Sequence, residues 1–358
     1  MPRLDLTADV VTLTQQLCDI ESVSHDEGAI ADAIEAALRP LRHLDVTRLG
    51  HTVIARTDLG RTERVVLAGH IDTVPLTSDP VNLPTRREQV GGQDVLWGRG
   101  TVDMKGGVAV QLKAALVPEP SRDITFLFYE CEEVDAADNG LQKIAESDPQ
   151  LLDADFAVLL EPTSAAVEGG CKGTMRVEVV LKGIAAHSAR PWNGHNAIHD
   201  AHEVLAALAS HREQTVAVDG LDYHEALQAV GISGGIAGNV IPDTCRVLIN
   251  YRFAPDKDTE AALAYVQSVL PGRELHVRDV AEGARPGLDL PAARAFVAAL
   301  DVPVGPKEGW TDVARFSALG IPAVNFGPGD PNLAHHDEER CPVDQIITAE
   351  QAVLRWLA

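Results

Sequence analysis

The spacing of apolar residues changes several times along the chain, and each change predicts an element. Between Leu6 and Ile20 they fall at Val10, Leu13, Leu17 and Ile20, one face of a helix. Ser24-His25-Asp26-Glu27 has the form of a capping box, and Ile30, Ile34, Leu38 and Leu41 supply the stripe of a second helix, which leaves His25 at the surface. His51 to Arg56 predicts a short strand, and Arg64 to Gly69 a buried one whose apolar run stops at His70. Pro75 to Val95 is polar, carries prolines and has no period, so it reads as a long loop. A helix is expected from Val108 to Val117, strands at Asp123 to Tyr129, Asp155 to Leu160 and Ile321 to Phe326, and a last helix from Thr348.

Four of these strands run into histidine or acid: His70-Ile71-Asp72, Glu130 to Asp135, Glu161-Pro162-Thr163, and, after a Gly-Pro loop, His335 to Glu339. Strands alternating with helices imply an α/β fold with a mainly parallel sheet, whose ligands bind beyond the carboxyl ends of its strands. The acidic and histidine clusters would then converge. The middle of the chain has another rhythm: strand (Arg176 to Leu181), helix (Asn196 to Ala209), two strands (Ala229 to Ser233, Thr244 to Phe253), helix (Thr259 to Leu270), strand (Glu274 to Val280). That is a βαββαβ, ferredoxin-like α+β order. It predicts a catalytic domain in two parts, 1–174 and 287–358, interrupted by an inserted domain, 175–286.

Composition narrows the partners. The chain has 358 residues and a formal charge of -23, from 53 acidic against 30 basic residues, which opposes binding to a phosphate backbone. No nucleic-acid partner is expected, and an anionic substrate needs a local positive site such as a metal ion. No apolar run approaches the roughly 20 residues of a membrane span, and the start lacks a signal-peptide pattern, so no membrane partner and a cytoplasmic location are expected. Five cysteines without a C-x-x-C pair suggest neither a disulfide framework nor a thiolate zinc site.

His70 and Asp72, two apart at a strand end, can leave it on the same side, as a metal ligand and its supporting carboxylate would. Glycines around Asp103 in Gly100 to Gly107 allow turns that aim it at a ligand; a helix N-cap is its plainer reading. Hard carboxylates with a few imidazoles suit zinc, manganese or cobalt. Two histidines and three carboxylates suffice for two ions sharing one aspartate, which can polarise a carbonyl and acidify a water. In the doublet Glu132-Glu133 one carboxylate can bind metal while its neighbour takes the water's proton.

Gly69-His70-Ile71-Asp72-Thr73-Val74-Pro75, the stretch around Asp103, Glu132-Glu133, Glu161-Pro162-Thr163, and His335 with Glu339 together resemble the M20 family of dinuclear metallohydrolases. The resemblance spans nearly the whole chain. It implies a zinc-exopeptidase-like catalytic domain with an inserted dimerisation or lid domain, a homodimer, and two divalent ions, Zn2+ first, with Co2+ or Mn2+ as alternatives. His70 and Glu161 would hold one ion, Glu133 and His335 the other, with Asp103 as the bridge. Asp72 would orient His70, and Glu132 would be general base and then proton donor. His336 could in principle replace His335, which is preferred because it sets Glu339 four residues on. In the inserted domain, Ala186-His187-Ser188-Ala189 resembles the family segment whose histidine reaches the neighbouring subunit's site. Lys172, Asn239, Arg252, Thr311 and Asn332 resemble substrate-contacting positions. The implied reaction is hydrolysis of a small N-acyl amino acid. A succinylated diamino acid is the leading substrate; N-acetylornithine, another N-acyl amino acid or a dipeptide are rivals. A non-catalytic binder on the same fold is opposed by the intact Glu132. Cys131 beside the doublet departs from the pattern and reads as a small buried residue.

Overall fold

A computed structural model describes residues 2–358. The chain divides into two compact units. One runs to Gly169 and takes in Gly287–Gly305 and Arg315–Ala358; the other comprises Gly170–Pro286 and Pro306–Ala314.

The first unit is built on an eight-stranded sheet in the order Asp45–Leu49, Thr52–Arg56, Asp123–Tyr129, Arg64–His70, Phe156–Leu159, Ala323–Asn325, Val167–Gly169, Val304–Pro306. Its four central strands, from Asp123–Tyr129 to Ala323–Asn325, are parallel. Asp123–Tyr129 is buried at every position, as a strand covered on both faces must be, which is why its sequence is a continuous apolar run without alternation. The first helix, Val10–Cys18, is capped by Asp9, whose side chain accepts from the Val11 and Thr12 amides. The helix Lys105–Ala114 is buried along almost its whole length. A Cβ on Gly107 would lie 2.0 Å from the Leu160 carbonyl oxygen, so this glycine is needed for close packing of helix on strand end, beyond the turn-making role read from sequence.

Several expectations are corrected. The stretch Pro75 to Val95 is not one long loop: it contains Arg86–Val90, hairpinned to Gln93–Trp97 through Gly91-Gly92, both at positive φ. The exposed Arg86–Val90 strand has no apolar face to betray it, although two glycines between short strands are themselves a hairpin signal. Ser24 to Glu27 forms no capping box. The helix starts at Gly28 without a side-chain cap, and Ser24 Oγ donates to Asp72 Oδ2 at 2.7 Å. The helix expected over 108–117 runs Lys105–Ala114, and the last one starts at Val343.

In the second unit, strands Leu221–Gly234, Thr244–Phe253, Gly173–Lys182 and Leu275–Ala281 lie in that order in an antiparallel sheet, with helices Ala197–Ser210 and Thr259–Val269. By chain order the strands run 2-3-1-4, the split arrangement that the alternating elements predict. Gln214–Val218 adds a fifth strand, paired with Leu221–Glu225 only. Buried and half-exposed residues alternate along Thr244–Phe253, so one face makes the unit's core with Met175, Val177 and Val179. The expected boundaries, 1–174, 175–286 and 287–358, shift in two places. Residues 170–174 and 306–314 belong to this unit. Cys171 exchanges backbone hydrogen bonds with Ala284, Trp310 Nε1 donates to the Glu282 carbonyl, and Lys172 pairs with Glu308.

Candidate active site

The parallel strand Arg64–His70 ends by delivering His70 into the interior of the first unit, 1 % exposed. Its Nε2 lies 3.0 Å from Asp103 Oδ1, and its Nδ1 lies 3.3 Å from Asp72 Oδ1. Asp72 is fully buried and does more than orient this ring. It accepts from the Glu132 amide at 3.0 Å, the Glu133 amide at 3.1 Å and Ser24 Oγ. One carboxylate therefore fixes a histidine and the turn that carries both glutamates.

Asp103 is not an N-cap; the residue in that position is Met104, which makes no side-chain cap. The Asp103–Met104 peptide is cis. Asp103 turns its other oxygen, Oδ2, to His335 Nε2 at 3.2 Å, and that nitrogen lies 2.9 Å from Glu133. The neighbouring His336 is in no such cluster among the described residues; its Nδ1 accepts from the Glu338 amide. His335 and Cys131 both adopt positive φ, 62° and 57°, an uncommon conformation for such residues that concentrates where function needs it.

The electrostatics follow from this crowding. Burial would raise Asp103, but the hydrogen bonds from His335 and His70 outweigh it and hold its carboxyl well below the usual range. Burial would lower His70, yet Asp103 and Asp72 keep it well above an ordinary imidazole. Asp72 is lowered: burial is overcome by His70, Ser24 and the Glu132 amide. Glu133 is raised by burial and by the charge of Asp103. Hydrogen bonds to Asp103 and Glu133 raise His335 to about 10. Each group thus depends on the charge of its neighbours.

The donor set fits two cations. Ligand atoms of His70, Asp103 and Glu161 lie within 4.8 Å of one another, and so do those of Asp103, Glu133 and His335. The two sets share Asp103, whose two oxygens face different imidazoles, the geometry of a bridging carboxylate. Nitrogen and carboxylate donors without thiolate suit zinc, cobalt or manganese. Glu132 forms a third grouping with His70 and Glu133. Cys131 is a buried thiol 3.2 Å from Glu27 Oε1, pushed up to about 12 by burial.

The remaining candidates are described each within its own unit. In the first unit, Asn332 is exposed and bonded to Asp330 within the short Pro331–Leu333 turn. In the second unit His187 is exposed on a two-residue strand, Ala186–His187, paired with Val240–Ile241; the Ser188 amide donates to the Asn239 carbonyl, so His187 and Asn239 share one ribbon. Lys172 is buried and held by Glu308, 2.6 Å away, and by the His224 carbonyl. The Arg252 side chain makes no hydrogen bond or ion pair among the described residues, and burial beside Arg176 lowers it. Thr311 is buried, its carbonyl facing Cys171 Sγ. Sequence reasoning missed Ser24, read as a helix cap, and Arg99, which donates to Glu339. Neither sits in a pattern that spacing alone marks as part of a site.

Residues 66–358 match the profile of peptidase family M20/M25/M40, and the chain belongs to that family. It is 51 % identical over 358 residues to a Mycobacterium tuberculosis protein named "Putative succinyl-diaminopimelate desuccinylase DapE", covering 99 % of each chain. It is 44 % identical over 369 residues to the succinyl-diaminopimelate desuccinylase of Corynebacterium glutamicum, covering 100 % of this chain and 98 % of that one. Among solved structures the fold is similar to aminopeptidase PepT of Bacillus cereus, with TM-score 0.77, 18 % identity, and 99 % and 98 % of the two chains covered. It is also similar to the YXEP protein of Bacillus subtilis, described as a dinuclear metal binding peptidase of the M20 family, with TM-score 0.66, 17 % identity, and coverage of 97 % and 96 %.

Proposed function

We propose that the chain is a metal-dependent amidohydrolase that converts N-succinyl-LL-2,6-diaminopimelate and water to succinate and LL-2,6-diaminopimelate, a step in lysine and peptidoglycan precursor synthesis. The observation that carries the reaction class is the pair of donor sets sharing Asp103 with Glu132 beside them. The names of the two full-length relatives supply the acyl group.

His70 and Glu161 would hold one divalent cation and Glu133 and His335 the other, with Asp103 as a ligand common to both. Two such ions, Zn2+ first by donor type, supply the Lewis acidity that polarises the scissile carbonyl and acidifies the attacking water. Glu132 takes a proton from that water and returns it to the departing nitrogen as the C–N bond breaks. Asp72 keeps the Glu132 amide and the His70 ring in register. Arg252, without an ion-pair partner among the described residues, is the better placed of the two candidate cations to receive a succinyl carboxylate, since Lys172 is already engaged by Glu308. Asn239, Thr311 and Asn332 are proposed as further substrate contacts.

The enzyme works in the cytoplasm as a homodimer. Support comes from the strand Leu221–Gly234, whose outer edge is paired only as far as Glu225 and which exposes Val230 and Ile232 beyond it. Such an edge favours pairing with a second copy. His187, exposed on its ribbon, then donates to the developing oxyanion in the partner's site. No described helix is long and apolar enough to cross a membrane.

A panel of N-acyl substrates assayed with zinc-loaded protein tests the function. The succinylated substrate should exceed its acetylated counterpart by ~10³, because an acetyl group leaves a cationic partner unpaired. Equal rates on N-acetylornithine would overturn the reading.

A further inference from the structure

Behind the cluster of ligands lies a fully buried ion pair that the reaction does not use. Arg99 and Glu339 are 2 % and 0 % exposed, with Arg99 Nη1 2.9 Å from Glu339 Oε2. Glu339 spends its other oxygen on two consecutive amides, Val102 N at 2.9 Å and Asp103 N at 3.1 Å. Arg99 Nη1 also donates to the His336 carbonyl at 3.2 Å. The backbone continues the join, since the Gly98 amide donates to the Glu339 carbonyl and Arg340 pairs with Trp97. The side-chain hydrogen bonds of this pair all run to one of two turns, the one presenting Asp103 and the one presenting His335.

We infer that Arg99 and Glu339 are positioning residues that set the spacing between the two cation sites, by locking the turn of the shared Asp103 to the turn of His335. The inference rests on the dinuclear reading above. The geometry gives the reason. Asp103 can face two imidazoles at once only while its backbone is held, and Glu339 holds that backbone through two adjacent amides. His335 sits at positive φ on an exposed turn, a conformation that needs support from its surroundings, and Arg99 grips the carbonyl of the next residue. The His70 side of the centre has its own support in Asp72. Loss of the brace should therefore weaken both cations through Asp103, and the one that also depends on His335 the more.

A buried ion pair can also be merely structural, and one property of such pairs separates the two roles. Removing one partner strands a buried charge and destabilises, whereas replacing both by apolar residues of similar volume is often neutral. Stepwise zinc binding by calorimetry on chelator-stripped protein, with thermal melts, would be measured for wild type, Arg99→Met, Glu339→Gln and the double variant Arg99→Met/Glu339→Met. The binding step that His335→Ala abolishes identifies the cation on that side. In Arg99→Met and in the double variant this step should weaken by ~10 to 100-fold, the usual scale for supporting residues around a metal, while the other weakens distinctly less. The melting temperature should fall in Arg99→Met, which strands the Glu339 charge, and recover in part in the double variant, where the Val102 and Asp103 amides still lack their acceptor. Glu339→Gln keeps an acceptor for the two amides and should weaken the step least. Zinc binding that recovers together with the melting temperature in the double variant, or weakens equally at both steps, would overturn the inference. Wild-type protein that binds a single zinc ion would instead refute the dinuclear reading, before any variant is compared.

Discussion

The carboxyl end of the parallel sheet and the ribbon of the second unit solve opposite problems. At the sheet end His70, Asp72 and Glu161 are almost wholly buried, and Asp72, Asp103 and Glu133 are held by named donors. Asp72 alone accepts from two amides and a hydroxyl. On the ribbon, His187 and Asn239 are exposed, and their order comes from a two-residue strand pairing. Multivalent cations demand ligands fixed to a fraction of an ångström, which packing and supporting hydrogen bonds provide. On the proposed reading, a group that is to meet a substrate and a second subunit has to stay accessible and gives up that support. Substitutions at the sheet end should accordingly disturb metal and chemistry, and those in the second unit substrate handling.

The largest effect expected is at Glu132. Glu132→Gln should retain both metals yet lose turnover by at least the ~10² to 10⁴ that a general base contributes. Glu133→Gln should instead lose one metal. Metal analysis giving the reverse pattern would exchange their roles.

His187→Ala should cost ~10² to 10³ in kcat, the scale of one oxyanion donor. Its effect should be separable from the metal centre: mixing His187→Ala with Glu132→Gln protein under subunit exchange should restore one working site per mixed dimer. If activity stays absent once exchange is verified, the ribbon does not act across subunits and the contrast drawn above fails at that point.

Asp72→Asn comes next. An amide cannot serve His70, Ser24 and two backbone amides alike, so metal affinity should drop by ~10 to 100-fold, and leaving a buried donor unsatisfied should cost about 1–3 kcal/mol of stability. Titration with zinc and a thermal melt would measure both. An unchanged affinity would show that the sheet end is less tightly coupled than its hydrogen bonds imply.

The smallest effect expected separates two residues of the second unit. Arg252→Ala should raise KM for the succinylated substrate by roughly tenfold, about 1.4 kcal/mol of lost binding, with little change for an acetylated one. Lys172→Ala should change KM less, because Glu308 already holds that charge. A larger effect at Lys172 would mean that substrate displaces Glu308.

Much of this was legible in the chain because buried strands announce themselves. Asp123–Tyr129 and Thr244–Phe253 were bounded to the residue, since a fully buried run and a strictly alternating one are both unmistakable. The clusters at His70, Glu132-Glu133 and Glu161 could be read because each closely follows a buried strand. The hairpin Arg86–Val90 with Gln93–Trp97 escaped because an exposed strand leaves no hydrophobic trace. The inserted unit's borders shifted because the return of 306–314 depends on contacts with Cys171, Lys172 and Glu282 that no local pattern encodes.

By itself, then, the sequence determined which residue types stand at the ends of which strands, since burial of a parallel sheet dictates runs that stop where polar chemistry begins. Tertiary structure alone decided what those residues hold. Ser24 could have capped a helix and instead supports Asp72, 48 positions away. Glu339 closes on Arg99 across 240 positions. His335 rather than His336 meets Asp103 because a turn at positive φ swings it there. Hydrogen bonds between side chains and distant backbone carry no periodicity, so only the folded chain could reveal them.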